Sequence, residues 1–270
     1  MGGPARAGRR ARLLRSKGWP RLALMPDVLV GIELGMSDSK TPKKMWGMSK
    51  APKKYVAFNS SVGITRADGK ERKTPAVRVL SNFCEVPGGI KWRGKLYPSA
   101  EHLYQMLLKA DPSCWAMFEC GGVLGSVESG FRTFGFKDDA LKKKVKFWGP
   151  IKSSGRPAMV GIVAKMAIND PKRVKGLKLK PKPESGFTDQ ELIDIFLPIL
   201  KAKYRDFKAF RDVLKSVPKD TTLVEFSRSA EREVNAYRSP RWTGLVKGDY
   251  LFGQNLCGRI MTMLRDEMCE

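Results

Sequence analysis

Histidine is nearly missing from this chain of 270 residues: only His102 is present. That excludes a zinc site built from two or three imidazoles, and any His-based triad in which His102 does not serve. Cysteine is scarce as well. Cys84, Cys114, Cys120, Cys257 and Cys269 form an odd set without a C-x-x-C pair. A reducing, intracellular compartment is expected rather than a secreted disulfide framework, with cytoplasm, nucleus and organelle left open. No apolar run approaches the roughly 20 residues that span a bilayer. The best stretch, Leu22 to Leu34, is short and carries Pro26, Asp27 and Glu33, so a soluble protein without a membrane partner is expected. Catalysis, where present, must lean on carboxylates, aromatics and water, and neither metal nor cofactor is expected.

Basic charge is what the chain has in excess. Its 51 Lys and Arg against 27 Asp and Glu give a net charge of +24. Such a surplus attracts polyanions: nucleic acid, anionic membrane or phosphate-bearing small molecules. Residues 1–25 hold seven bases and no acid. An organelle transit peptide, a nuclear or nucleic-acid-binding tail, and a leader upstream of Met25, Met36 or Met48 all fit that composition. Residues 36–54 read as a flexible linker, so 1–54 is taken as a basic extension and 55–270 as one domain. A second basic run, 137–182, contains 14 bases and three acids. Within it, Lys172 to Lys182 reads as an exposed loop, either a solvated surface or a collar that draws in a phosphate-bearing substrate.

Local signals place the elements. Tyr55–Phe58, Ala76–Leu80, Leu223–Phe226 and Asp249–Phe252 look like short strands, and Ile90–Tyr97 like a hairpin turning at Arg93-Gly94. Ser99 can cap a helix with Leu103, Met106, Leu107 and Ala110 on its apolar face. Asp111-Pro112 opens another helix, and Thr188 to Glu191 forms a capping box ahead of a long one. A further helix is expected over Asp206 to Lys215. Asn255 can cap a final helix with Leu256, Ile260, Met263 and Leu264 inward. The pattern predicts an α+β fold, mostly helical, in a single domain with a small antiparallel sheet.

Glu101 is the candidate catalytic group. Cleavage of an N-glycosidic bond passes through a sugar with oxocarbenium character, which a nearby carboxylate steadies while it orients water. A helix N-terminus favours the ionised form, which suits Glu101 to a base or electrostatic role. An ordinary first-turn acid is the competing reading. Trp148 and Trp242 stand beside Gly, Pro and polar residues, where a flat indole can stack on a base; buried core packing is the plainer alternative. Gly253 to Gly258 leads into the last helix, where backbone N–H groups could meet phosphate, or where a capped structural helix simply begins.

Taken in order, these segments resemble the NADAR (YbiA-like) family of N-glycosidases. The resemblance is carried by Ser81-Asn82-Phe83, Ser99 to Gln105, Trp148, Lys203-Tyr204, Leu223-Val224-Glu225, Trp242 and Gly253 to Arg265. It implies a YbiA-like fold and hydrolysis of a ribosyl–base bond. Substrates would be ADP-ribose on guanine, as nucleotide or within DNA or RNA, or riboflavin-pathway intermediates carrying ribose 5-phosphate. The family Glu maps onto Glu101 and its aromatic onto Trp148. Asn82 and Asn255 would hold ribose hydroxyls or phosphate, Trp242 would stack on the base or adenine, and Lys109 would either touch phosphate or be a surface residue. The family's second acid falls at Ala230 here, so Glu231 or Glu233 would have to replace it. An insertion near 150–187 departs from the family pattern. A non-catalytic basic module that binds nucleic acid is the reading from a different class.

Overall fold

The computed structural model describes residues 48–150, 157–181, 183–236 and 240–269. Segment 1–25, with its three readings, lies outside them, as do residues 36–47 of the expected linker. The chain is α+β and dominated by helices, as its pattern implies. Among the described residues the strands are β1 (Met48–Lys50), β2 (Tyr55–Phe58), β3 (Gly63–Arg66), β4 (Glu71–Lys73), β5 (Ile90–Trp92), β6 (Lys95–Tyr97), β7 (Thr222–Glu225), β8 (Leu245–Lys247) and β9 (Tyr250–Phe252).

They fall into three small sheets: β1-β9-β8, β4-β3-β2-β7 and the β5-β6 hairpin. Most pairings are antiparallel; β2 and β7 run parallel, with Phe58 opposite Glu225. The hairpin turns at Arg93-Gly94 as expected, both with positive φ (47° and 78°), the geometry that matches strand twist in a two-residue turn. Two expectations are corrected here. Folding begins before Tyr55, because Met48–Lys50 of the supposed linker pair with Phe252–Tyr250. Pro75–Leu80 is a 3-10 helix, not a strand. Pro75 at its start presets helical φ, and the Val79 and Ser81 carbonyls bind the Lys203 ammonium instead of a neighbouring strand.

The helices are α1 (Ala100–Lys109), α2 (Val127–Thr133), α3 (Asp138–Trp148), α4 (Gly161–Asn169), α5 (Asp189–Asp206), α6 (Lys208–Ser216), α7 (Ser229–Asn235) and α8 (Leu256–Met268). Capping signals hold: the Ser99 hydroxyl accepts from His102 N–H, and Thr188 and Glu191 form the reciprocal box that starts α5. Asp111-Pro112 opens a 3-10 turn, Pro112–Phe118. In α8, Met261 is buried and Met263 is 44% exposed, so Met263 does not join the inward face.

Helix α1 is the pivot. It packs against α4 and α5, and α5 packs in turn against α8. Leu103, Met106 and Leu108 are fully buried, each stabilising the fold by roughly 1.5–3 kcal/mol. Yet Glu101, His102 and Gln105 are buried beside them. A helix enclosed on nearly every side must find partners for such groups, and where those partners lie defines the site. Among the described residues no helix is long and apolar enough to cross a membrane.

Candidate functional site

The supposed insertion supplies one wall of the site. Helix α4 reaches α1 so closely that a Cβ on Gly161 would lie 2.8 Å from Glu101 Cβ and 2.6 Å from Phe83 Cα. Only glycine permits that approach. The Ser81–Phe83 segment is held between the two helices: Glu101 N–H donates to the Asn82 carbonyl at 3.0 Å, and Gly161 N–H to the Phe83 carbonyl at 3.0 Å. Lys203, fully buried on α5, fixes the same segment from behind through the Val79 and Ser81 carbonyls at 2.9 and 2.8 Å. Burial lowers its ammonium to about 8, against the favourable pull of Cys84, Cys257 and Glu225.

These contacts leave a cavity of about 240 Å³. Its described wall includes Asn82, Glu101, Gln105, Lys109, Trp242 and, from segments whose role the sequence did not disclose, Lys165, Glu184 and Glu225. Glu101 accepts from Gln105 Nε2 at 2.7 Å. Its carboxyl is raised above the ordinary value, chiefly by burial; Lys165 and the Gln105 bond pull it back and Glu184 adds to the rise. This corrects the expectation from the helix dipole. Burial outweighs the dipole here, so Glu101 holds a proton more readily than a free Glu.

Glu225 ends β7 at the same cavity. Burial pushes its carboxyl up to about 7, the Cys257 thiol favours the ionised form, and the charge of Glu101 opposes it. Asn82 Nδ2 donates to Cys257 Sγ at 3.3 Å, which links the cavity asparagine to the support of Glu225. The Asn82 Oδ1 and Gln105 Oε1 atoms are buried without a protein partner. Two acceptors thus stand ready for hydroxyl donors of a bound molecule.

The remaining predicted residues divide cleanly. Lys109 is on the wall and pairs with Glu184 at 2.7 Å. Trp242 is there too, but its ring stands edge-on to Tyr104 and Phe196, at centroid distances of 5.0 and 5.4 Å, and its N–H donates to Glu184. Trp148 is not on the described wall. It closes α3, which packs on α2, and stands edge-on to Phe147 at 4.9 Å. Asn255 does not face the cavity either. Its Oδ1 accepts from Glu225 N–H at 3.0 Å and its Nδ2 donates to the Leu223 carbonyl at 2.8 Å, so it holds β7 instead of capping α8. Glu231 pairs with Lys247 and Glu233 accepts from Ser229, both on α7 and away from the cavity. The acids on the described wall besides Glu101 are Glu184 and Glu225.

His102 points elsewhere. Its ring nitrogens meet Ser99 Oγ at 2.8 Å and the Leu124 carbonyl at 2.9 Å, and burial lowers its pKa to about 4 despite the carbonyl bond. It is a neutral, fully paired core residue. Among the described residues, no three His, Cys, Asp or Glu side chains stand close enough to hold a metal ion.

Two of the unforeseen residues had readable signals. Gln105 lies one helical turn from Glu101, the spacing at which side chains on a helix meet. Glu225 is a lone acid at the end of a buried strand. Lys165 and Glu184 had none. Comparison of the chain with family models, with curated proteins and with solved structures returned no match.

Proposed function

We propose that the chain is an NADAR-like hydrolase that cleaves a ribosyl–base N-glycosidic bond, removing ADP-ribose from guanine in nucleotide or nucleic acid. One observation carries this reading: two carboxyls with raised proton affinity, Glu101 and Glu225, share one cavity. Environments that separate the protonation of two acids assign them different duties. The negative charge of Glu101 raises Glu225, which suits Glu225 to hold the proton of the pair. The bond from C1′ to the base nitrogen breaks; Glu225 delivers its proton to the leaving base. Glu101 steadies the cationic sugar, orients a water toward C1′ and takes the proton that water releases. Asn82 and Gln105 accept from ribose hydroxyls. Lys165, its ammonium 5.4 Å from the Phe83 ring centre, attracts phosphate at the mouth.

The cavity volume favours a second reading. About 240 Å³ is less than the roughly 300–1,000 Å³ of pockets that enclose whole ligands. A ribose with one phosphate suits it, as in riboflavin-pathway intermediates, whereas ADP-ribose leaves its adenosine half outside.

The test is incubation with guanine-ADP-ribosylated DNA and, separately, with ribose-5-phosphate-bearing riboflavin intermediates, following released base and sugar. Glu101→Gln should lower kcat about 10³-fold, within the range of positioned acid–base groups, without loss of thermal stability. Wild-type turnover should decline above pH about 7, where Glu225 loses its proton. Tight, salt-sensitive DNA binding without turnover on any ribosyl substrate would replace this reading with the non-catalytic module.

A further inference from the structure

Of the three acids on the described cavity wall, Glu184 is the one with both carboxylate oxygens taken. Oε2 accepts from Lys109 Nζ at 2.7 Å, and Oε1 accepts from the Trp242 indole N–H. The Tyr104 hydroxyl lies beside the same carboxylate without a well-aligned hydrogen bond.

The donors and the acceptor come from different kinds of structure. Lys109 and Tyr104 belong to α1, and Trp242 is locked edge-on by Tyr104 and Phe196. Glu184 begins a 3-10 turn of only three residues, Glu184–Gly186, near the end of the segment 150–187. The side chains of Lys109 and Glu184 keep 24% and 26% exposure, so solvent reaches the pair from the cavity. The local charge is also at odds with the whole. In a chain of net charge +24, this wall presents Glu101, Glu184 and Glu225 against Lys109 and Lys165.

An ammonium and an indole N–H donating to one carboxylate, with a phenol O–H beside it, make an anion site, since charge-assisted hydrogen bonds to a compact anion are the strongest such donors form. We propose that Lys109, Trp242 and Tyr104 constitute a phosphate subsite and that Glu184 occupies it as an internal substitute, displaced when a phosphate-bearing ligand binds. A tethered carboxylate competes at high effective concentration. The tethered carboxylate therefore weakens the binding of a free phosphate anion without abolishing it, and a phosphate that arrives attached to a sugar in the cavity binds more tightly through its additional contacts. The inference rests on the proposed reading for the phosphate-bearing sugar but not for its bond cleavage, and it is tested without turnover.

The probes are inorganic phosphate and pyrophosphate, titrated into the full chain by calorimetry and by the indole N–H resonance of Trp242, assigned with Trp242→Phe. Pyrophosphate should shift that resonance. Glu184→Gln should bind pyrophosphate at least about 10-fold tighter than wild type, as expected when an intramolecular competitor is removed. Lys109→Met should abolish binding in both backgrounds. Unchanged or weaker binding by Glu184→Gln at an unaltered thermal midpoint would overturn the proposal, as would binding that survives Lys109→Met. Should Glu184→Gln fail to fold, the wild-type titration decides alone: a Trp242 resonance indifferent to pyrophosphate ends it.

Discussion

Asn82 and Asn255 are the same side chain, equally buried at 4% and 3% exposure, and they serve opposite ends. Asn255 commits both halves of its amide to the backbone of β7. Asn82 gives its N–H to Cys257 and leaves its oxygen without a protein partner. The same division separates the cavity wall from the packed layer behind it. Behind the wall, Lys203 is held by two carbonyls and lies 4.5 Å from the Phe210 ring centre; His102 has both nitrogens bonded. On the wall, Gln105 keeps a free oxygen and two carboxyls hold protons too tightly. An unpaired buried acceptor costs about 1–3 kcal/mol, so the wall gives up stability at Asn82 and Gln105. Pairing, more than residue type or depth, tells a structural group from one available to a ligand.

The comparison breaks most visibly at Arg265. Its guanidinium donates to the carbonyls of Pro218, Lys219 and Thr221 and to Asp266, pinning the turn between α6 and β7. Arg265→Met removes a donor from three carbonyls at once, of which Pro218 keeps the Thr221 N–H, and should lower stability by about 3 kcal/mol. Turnover per folded molecule should stay near wild type. Glu101→Gln should do the reverse, erasing turnover while its urea midpoint moves by no more than about 1 kcal/mol equivalent. Equal stability losses in the two variants would show that the wall is as fully paired as the layer behind it.

How much of this was legible in the sequence follows from how local each feature is. The Ser99 cap, the Thr188 box and the Arg93-Gly94 turn are set by residues within one turn of each other, and all were read correctly. Glu101 was legible because its cap and its helix are adjacent to it. Glu225 reaches the cavity only because β7 pairs with β2 across more than half the chain, and Lys165 only because Gly161 lets α4 press on α1. Neither event leaves a mark at short range. The sequence therefore points for a second acid to the neighbourhood of Ala230, which is fully buried on α7. Trp148 misled for a similar reason: flanking Gly and Pro describe where a helix stops, and say nothing of which cavity its last side chain faces.

Acidity separates the two regions by sign. Burial holds His102 at about 4 against an ordinary 6.5. Within that window the unfolded chain binds a proton the folded chain refuses, so stability falls as pH drops. Burial holds Glu225 up to about 7 against an ordinary 4.5. There the folded chain keeps a proton the unfolded chain has lost, so stability falls as pH rises. At about 1.4 kcal/mol per unit the His102 effect is roughly 3 kcal/mol, and that of Glu225, partly open to the cavity, is nearer 2. The two nearly cancel between pH 4.5 and 6.5. Relative to wild type, Glu225→Gln should therefore steepen the rise of urea midpoint with pH, and His102→Gln should turn it downward. Parallel profiles for the two variants would contradict the assignment.

The smallest expected effect is the sharpest test of which acid belongs to the site. Glu231 faces Lys247 at 2.7 Å, and the lysine side chain is 64% exposed. Exposed pairs of this kind contribute about 0–1 kcal/mol, so Glu231→Gln should shift the urea midpoint by less than about 0.5 kcal/mol equivalent. Its kcat and pH profile should match wild type, as should those of Glu233→Gln, whose partner is the Ser229 hydroxyl. Glu225→Gln should instead lower kcat and lose the limb above pH about 7, since the proposed mechanism draws the leaving base's proton from Glu225. A collapse of turnover in Glu231→Gln with Glu225→Gln unimpaired would move the second acid to α7. It would also require that helix to reach a cavity whose described wall includes none of its residues.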